Sequence, residues 1–260
     1  MRQELVWGVG YRLSRGESTG SFTLSFDPAS RTENLFNAFV QSDVKVANGR
    51  GHLTLGTKVE HQHYVGFEVQ PNVRFLWQLD ERQRLWGAVA RALRTPAGAE
   101  TRTRGAQLMV PTGDLVPGFT QGLVASFPNP DFKSEELTAF EGGYRLQWNE
   151  STTVDLAGFY NVYDRLRTFE GFLAPYVETE PTPYLVIPVR AENKMNGKVY
   201  GFELEANQRL SSRWHLRGTY SLLRMELELD ADSMDLFSTQ AGKEVPEYQA
   251  TLQSSMGRLR

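Results

Sequence analysis

Two consecutive segments between Ser134 and Asp164 alternate strictly with a period of two residues. Such alternation is typical of β-strands, and here it lasts longer than in most soluble strands, which have about 5–6 residues. One apolar face and one mixed face suit a strand between lipid and water, so the stretch predicts a transmembrane β-barrel hairpin with its turn at Asn149–Thr152. One face of this hairpin is predicted to carry Thr138, Phe140, Gly142, Tyr144, Leu146 and Trp148 on the first strand, and Val154, Leu156, Gly158, Tyr160 and Val162 on the second.

The composition excludes several other classes of protein. No apolar run reaches the 18 or so residues of a transmembrane helix, and no signal peptide is visible at Met1. The chain has no cysteine, which excludes disulfides and thiolate metal sites. A formal net charge of −3 argues against a nucleic-acid partner.

Eight further strands are predicted from the same alternation, which makes about ten in all. They are Glu4–Leu13, Leu35–Val46, His52–Gln62, Gln70–Leu79, Arg84–Ala92, Lys198–Leu210, Trp214–Met225 and Val245–Met256. Asn48-Gly49 is a strong hairpin signal after the second of the ten. Two long irregular stretches are expected at 93–133 and 165–196, and a short extra strand is possible at Tyr184–Arg190.

The predicted connections alternate in length. Short turns fall near Ala47, Asp80, Asn149 and Ser211, whereas long connections are expected near Ser14, His63, Thr95, Arg165 and Asp230. Outer-membrane barrels sort their loops in this way, with short turns at one end and long loops at the other. Trp77, Trp86, Trp148 and Trp214 all lie close to short turns, as expected of an interfacial aromatic girdle. The alternative is that these tryptophans form the core of a soluble sandwich.

Several segments resemble the barrel strands of TonB-dependent outer-membrane receptors. They are AFVQSDVKV, LTLGTKVEHQ, GFEVQPNVRFLW, LWGAVARALRTP, NPDFKSEELTAFEGGYR, DLAGFYNVYDRL and NGKVYGFELEA, and together they cover most of the chain. The resemblance implies an antiparallel barrel of about 22 strands around an N-terminal plug, in the outer membrane of a Gram-negative cell. It also implies uptake of a ferric siderophore, haem or a cobalamin-like ligand, energised through the TonB complex.

Parts of the family pattern are not visible in this sequence. The plug, the energy-coupling box and a closing strand with a terminal aromatic residue are not found, and the chain ends Gly257-Arg258-Leu259-Arg260. Residues 1–260 are therefore expected to form an internal, open piece of the barrel wall. Such a piece has unpaired edges and a lipid-facing surface, and transport belongs to the parent protein.

The sequence offers no enzyme signature and no cofactor site. His61 and His63 share a face but lack a third ligand, so a rim pair is the simpler interpretation than a metal site. Glu135 with Glu136, or Glu203 with Glu205, suggest paired carboxylates, but lumen-facing acids in a water-filled barrel explain them without chemistry. Neither a G-x-S-x-G motif nor a phosphate-binding loop is present.

Ligand contacts are expected in the long loops, 93–133 and 165–196, because loops on a rigid scaffold carry recognition. Arg91 and Arg94 are the candidates at the rim, where the predicted strand Arg84–Ala92 enters the longest loop. They either face an anionic ligand or the plug, or they pair with acidic groups of the lumen or with lipid headgroups.

Two other folds remain open from the sequence. A complete small porin or adhesin barrel of about ten to twelve strands predicts that the first and last strands pair. A soluble all-β carbohydrate-binding or hydrolase domain predicts that Phe140, Tyr144, Leu204 and Leu216 are buried.

Overall fold

The computed structural model describes residues 3–112, 117–180 and 182–257. The expectation about the final residues, 258–260, and parts of the two long loops lie outside these ranges. Strands dominate, and the only α-helix in the described ranges is α1 (Gly98–Thr101). The strands are β1 (Gln3–Glu17), β2 (Leu24–Phe26), β3 (Ser30–Val46), β4 (Gly51–Gln62), β5 (Gly66–Gln78), β6 (Gln83–Arg94), β7 (Thr103–Pro111), β8 (Gln121–Phe127), β9 (Glu135–Asn149), β10 (Thr152–Gly171), β11 (Tyr176–Glu178), β12 (Tyr184–Arg209), β13 (Trp214–Leu229) and β14 (Tyr248–Met256).

Ten of these strands form one continuous antiparallel wall. Its order is β1-β3-β4-β5-β6-β9-β10-β12-β13-β14, which confirms the ten predicted strands. Within the described residues β1 pairs only with β3, and β14 pairs only with β13. The wall is therefore open, as expected of a piece of a larger barrel, and the first-to-last pairing of a small complete barrel is not formed.

The register puts the apolar alternation of all strands on one face, which we call the outer face. A single row across five neighbouring strands shows this: Leu85, Tyr144, Leu156, Leu204 and Tyr220 are successive cross-strand partners. Phe140 is 44% exposed and Leu204 39%, so these side chains are not the buried core that a soluble domain requires. An exposed apolar band of this extent is what lipid covers in a membrane.

The opposite, inner face is polar. It carries Trp86, which the sequence placed in the interfacial aromatic girdle. Trp86 pairs with Gly143 and lies two residues from Arg84, so it belongs to the inner face rather than to the outer girdle. The girdle prediction is thus wrong for Trp86. Gly143 makes the inner position of Trp86 possible. A Cβ at Gly143 would overlap the Trp86 indole ring, so the glycine provides the space for that ring.

Four short turns lie at one end of the wall, the turn end. They are 47–50, 79–82, 150–151 and 210–213. The first is the predicted Asn-Gly hairpin, with φ of 56° at Asn48 and 90° at Gly49, a conformation that these two residue types tolerate.

The connections predicted to be long lie at the opposite end, the loop end, and one of them is short. The connection near His63 has only three residues, 63–65, so the prediction of a long loop there is wrong. Gly66, at φ 73°, lets the chain reverse within this short span.

The two long stretches contain more regular structure than predicted. The short strand predicted at Tyr184–Arg190 is continuous with the strand predicted at Lys198–Leu210. Together they form β12, which has 26 residues. A membrane crossing needs about 9–11 residues, so the first part of β12 projects beyond the apolar band at the loop end. There β12 pairs with β11 and, in parallel, with β8, which extends the sheet through β7 to β2. In the described ranges no helix is long and apolar enough to cross a membrane.

Candidate functional site

The packed interior of this chain lies mainly at the loop end. Its buried apolar side chains are Ala125, Phe132, Leu185, Val186, Ala191, Met195 and Val199, all from the loop-end strands, the adjoining loops or the part of β12 nearest to them. Most side chains of the wall are open on both faces because the sheet is not closed. The loop end is therefore an ordered scaffold, which is what a recognition surface needs.

A buried carboxylate holds the longest loop against the wall. Glu100 in α1 is 4% exposed and accepts hydrogen bonds from the Ala97 backbone N–H at 2.9 Å and from Nη1 of Arg94 and Arg167 at 3.0 Å each. Burial raises the pKa of Glu100, but the Ala97 hydrogen bond and the two arginines outweigh it and leave the pKa below its ordinary value. The ionised carboxylate is thus the form that stabilises this loop.

The two rim arginines predicted from the sequence lie on opposite faces of β6. Arg91 shares the outer face with Val89 and binds Glu136 through Nη2 at 2.9 Å and Nε at 3.2 Å. Arg94 lies on the inner face and binds Glu135 through Nε at 2.5 Å in addition to Glu100. Both arginines therefore have carboxylate partners, and their role toward a ligand stays a prediction.

The β13–β14 loop, residues 230–247, folds back over the inner face. A Cβ at Gly242 would lie 3.6 Å from Leu227, whose side chain alternates onto that face. Two carboxylates hold the loop. Glu170 accepts from Ser233 Oγ at 2.6 Å and from the Met234 N–H at 2.8 Å. Asp235 accepts from the Phe169 N–H at 2.7 Å and, within its own loop, from the backbone and side chain of Ser238.

Arginines and aromatic rings alternate on the same side of the loop-end sheet. The Arg104 guanidinium lies 4.9 Å from the ring centre of Phe127, Phe127 meets Phe172 edge to face at 5.6 Å, and Arg190 lies 5.4 Å from Phe172. Arg190 is the cross-strand partner of Glu170, which the β13–β14 loop covers, so this arginine–aromatic row belongs to the inner side. Each arginine also binds a carboxylate, Arg104 to Glu178 and Arg190 to Glu192, so the row offers ring and guanidinium faces to planar ligands and its remaining N–H groups to anions.

A second cluster stands beside this row. Glu178 accepts hydrogen bonds from Arg104 Nη2 at 2.5 Å, from the Tyr176 hydroxyl at 3.1 Å and from the Tyr184 hydroxyl. Burial raises the pKa of Glu178, yet its three donors outweigh burial and lower it. Burial and the neighbouring carboxylate raise the pKa values of Tyr176 and Tyr184.

The inner face of the wall below these clusters is lined by ion pairs. Arg217 lies 2.6 Å from Glu205, and Arg145 lies 2.5 Å from Asp155. These pairs border an open pocket of about 450 Å³ that also includes Trp86. The structure confirms that Glu205 faces this polar side.

The two histidines singled out in the sequence each lie against an aromatic ring. The ring centre of His61 lies 4.6 Å from that of Phe67, and the ring centre of His63 lies 5.7 Å from that of Tyr64. Across the described ranges no three His, Cys, Asp or Glu side chains come together as metal ligands.

Sequence reasoning did not identify Glu100, Glu170, Glu178 or Asp235. They lie in or beside the long loops, where residue type alone gives no contact information. The sequence did predict where the long loops lie, and these loops are at this end of the sheet.

Comparison with known proteins identifies the architecture. The family model for the TonB dependent receptor-like β-barrel matches residues 2–258. The siderophore receptor PirA from Acinetobacter baumannii superposes with a TM-score of 0.70 at 17% identity, over 96% of this chain and 37% of that one. A variant of the ferric enterobactin receptor PfeA from Pseudomonas aeruginosa gives 0.64 at 17% identity, over 85% and 32%.

A third structure, the FrpB iron transporter from Neisseria meningitidis, gives a TM-score of 0.58 at 13% identity, over 89% of this chain and 34% of that one. This chain thus spans only about a third of the length of the structures that it resembles, and at these identities the likeness shows the fold alone. No curated protein matches the sequence.

Proposed function

The chain belongs to the TonB-dependent receptor family, as part of its β-barrel domain, and from this premise we propose that the whole protein takes up a ferric siderophore across the outer membrane. In this proposal the ten-strand wall is lipid-facing outside and water-facing inside. The loop end forms part of the surface that captures the ligand. Energy for uptake comes through the TonB complex, as the family implies.

The observation that carries the proposal is the position of the arginine–aromatic row. An apolar outer band and a polar inner face define a transmembrane wall, and the row lies on the inner side at the loop end. A ligand that enters from the loop end meets this row before it reaches the ion pairs below. The arrangement supports capture of an anionic, ring-bearing ligand.

The structural neighbours support a ferric ligand as the class. These neighbours are a siderophore receptor, a ferric enterobactin receptor and an iron transporter. Haem and cobalamin-like ligands are the alternatives that an uptake experiment separates.

The test is uptake of iron by the organism that carries this gene. Iron-limited cells with and without the gene are supplied with ⁵⁵Fe bound to a panel of siderophores, and with haem and cobalamin in parallel. We expect deletion to abolish uptake of at least one ferric siderophore, and a protonophore to abolish it in the undeleted cells. Unchanged uptake of every ferric complex would refute the siderophore proposal, and uptake that resists the protonophore would refute the coupling to TonB.

A further inference from the structure

The hairpin formed by β11 and β12 brings three oxygen-bearing side chains together. Glu178 and Tyr184 are direct cross-strand partners. Tyr176 precedes Glu178 by two residues on β11, so its side chain emerges on the same face. The hairpin, and not a distant contact, therefore sets this arrangement.

The two hydroxyl groups converge on one carboxylate. The Tyr176 hydroxyl lies 3.1 Å from one Glu178 carboxylate oxygen, and the Tyr184 hydroxyl contacts the other. In an octahedral site with metal–oxygen distances of about 2.0–2.1 Å, neighbouring ligand oxygens lie about 2.9 Å apart. A small displacement of the hydroxyl groups would let a metal ion replace their protons.

The cluster is partly open to solvent. The Glu178 side chain is 25% exposed and that of Arg104 is 34% exposed. Tyr184 is six residues from Arg190 on β12, which places both on the side that the arginine–aromatic row occupies. A ligand held by that row is therefore within reach of the two phenols.

The donor set selects the metal. It contains only phenol and carboxylate oxygens, with neither nitrogen nor sulfur, and such ligands favour hard cations. Phenolate oxygens are hard, negatively charged donors, and such donors suit trivalent iron. Arg104 supplies a positive charge beside them for an anionic group of the incoming chelate.

We propose that Tyr176 and Tyr184, supported by Glu178, complete the coordination of a ferric chelate that leaves two iron positions open. This inference rests on the proposed function, since iron is the cargo there. On binding, two iron–phenolate bonds form, two water ligands leave the iron, and two phenol protons pass to the solvent. The iron stays trivalent, so no oxidant or reductant is needed. The ligand class is therefore a tetradentate ferric chelate rather than a hexadentate one.

A direct test uses the visible absorption of iron-bound tyrosinate. The full chain in detergent is titrated with ferric nitrilotriacetate, a tetradentate chelate, and in parallel with ferric ethylenediaminetetraacetate, which fills the iron more completely. We expect a tyrosinate-to-iron charge-transfer band with the first chelate and none with the second. Resonance Raman enhancement of phenolate modes would identify the ligand. Absence of the band with ferric nitrilotriacetate would overturn the proposal.

Substitutions assign the band to these residues. Tyr176→Phe and Tyr184→Phe should each weaken it, and the double variant should lose it. The matched control is Tyr64→Phe, because Tyr64 also lies at the loop end but stacks on Arg31 instead. A band that survives in the double variant, or that Tyr64→Phe removes, would refute the assignment. Circular dichroism of each variant shows whether the strand content is retained, and Glu178→Gln, which keeps both phenols, provides a second variant that should weaken the band.

Failure of this inference is distinguishable from failure of the proposed function. If cells take up hexadentate ferric siderophores through the protein but the chain gives no band, the iron-ligand role falls and the transport proposal stands. If cells take up no ferric complex but the band forms, the transport proposal falls and the iron site stands.

Discussion

Arg167 Nη1 lies 3.0 Å from Glu100 Oε1, although the two residues are 67 positions apart in the chain. The contact connects the longest loop to β10, and Arg94 joins the same carboxylate from β6. One buried carboxylate thus sets the position of the loop relative to two strands of the wall.

Replacing Glu100 with glutamine should loosen this loop. The variant keeps the size of the side chain but removes the charge that both arginines bind, and a hydrogen bond to a charged group contributes about 2 kcal/mol. Hydrogen exchange should therefore become faster in α1 and β7, by an amount that corresponds to that loss. Glu247→Gln is the control, since Glu247 pairs with Arg224 at the surface, where both side chains are more than 40% exposed, and its loss should change stability by less than about 0.5 kcal/mol. Equal protection of α1 in wild type and in Glu100→Gln would contradict the role given to this carboxylate.

Acid should destabilise the loop end in a defined direction. The pKa of Glu100 lies below its ordinary value of 4.5 and that of Asp235 below 3.8, so both groups bind fewer protons in the folded than in the unfolded chain. Their stabilising effect is complete above these ordinary values and is lost as the pH falls through the folded-state pKa values. Thermal unfolding followed by circular dichroism should show this fall below about pH 4.5, with a shallower slope in Glu100→Gln. The same slope in both proteins would exclude Glu100 as a contributor.

Alanine substitutions at two glycines of the wall should change the free energy of unfolding differently. A Cβ at Gly201 would overlap the Leu222 carbonyl oxygen, whereas a Cβ at Gly142 would lie 3.6 Å from the Trp86 carbonyl oxygen, an ordinary contact. Gly201→Ala should lower the free energy of unfolding by about 1–3 kcal/mol. Gly142→Ala should leave it unchanged or raise it by about 0.5 kcal/mol, because alanine restricts the unfolded chain. Urea titrations in detergent measure both, and equal effects would show that the Gly201 position relaxes freely.

Tryptophan fluorescence can test which face of the wall meets lipid. Trp77 lies on the outer face, as the partner of Leu85, and Trp86 on the inner face, as the partner of Gly143. In chains that retain one tryptophan each, brominated lipid should quench Trp77 strongly and Trp86 weakly, and aqueous iodide should do the reverse. Quenching of both by brominated lipid would contradict the assignment of the faces.

The wall was predictable because its signal is local. Alternation such as that of Phe140, Gly142 and Tyr144 repeats every two residues and needs no knowledge of the partner strand. The register then confirms the predicted faces, since Tyr144 meets Leu156 and Phe140 meets Tyr160 across β9 and β10. Trp86 was misplaced because its nearness to a turn was given more weight than its parity along β6.

The loop end was not predictable because its contacts are distant in sequence. The parallel pairing of β8 with β12 joins Leu123 to Val186, and neither segment alone indicates the other. The same holds for Glu100, whose buried position depends on Arg167. The turn at His63 was predicted as a long connection, although Gly66 could have indicated the tight reversal.

The length of β12 has a consequence for the order of assembly. One continuous strand of 26 residues is hydrogen-bonded to β8 and β11 at its start and to β10 and β13 farther along. β8 ends at Phe127, whereas the segment of β12 with which it pairs begins at Leu185, so this pairing closes a long loop. Closing such long loops is slow compared with forming neighbouring hairpins. The hairpins of the wall are therefore expected to form early, and the loop-end sheet of β2, β7, β8 and β11 last.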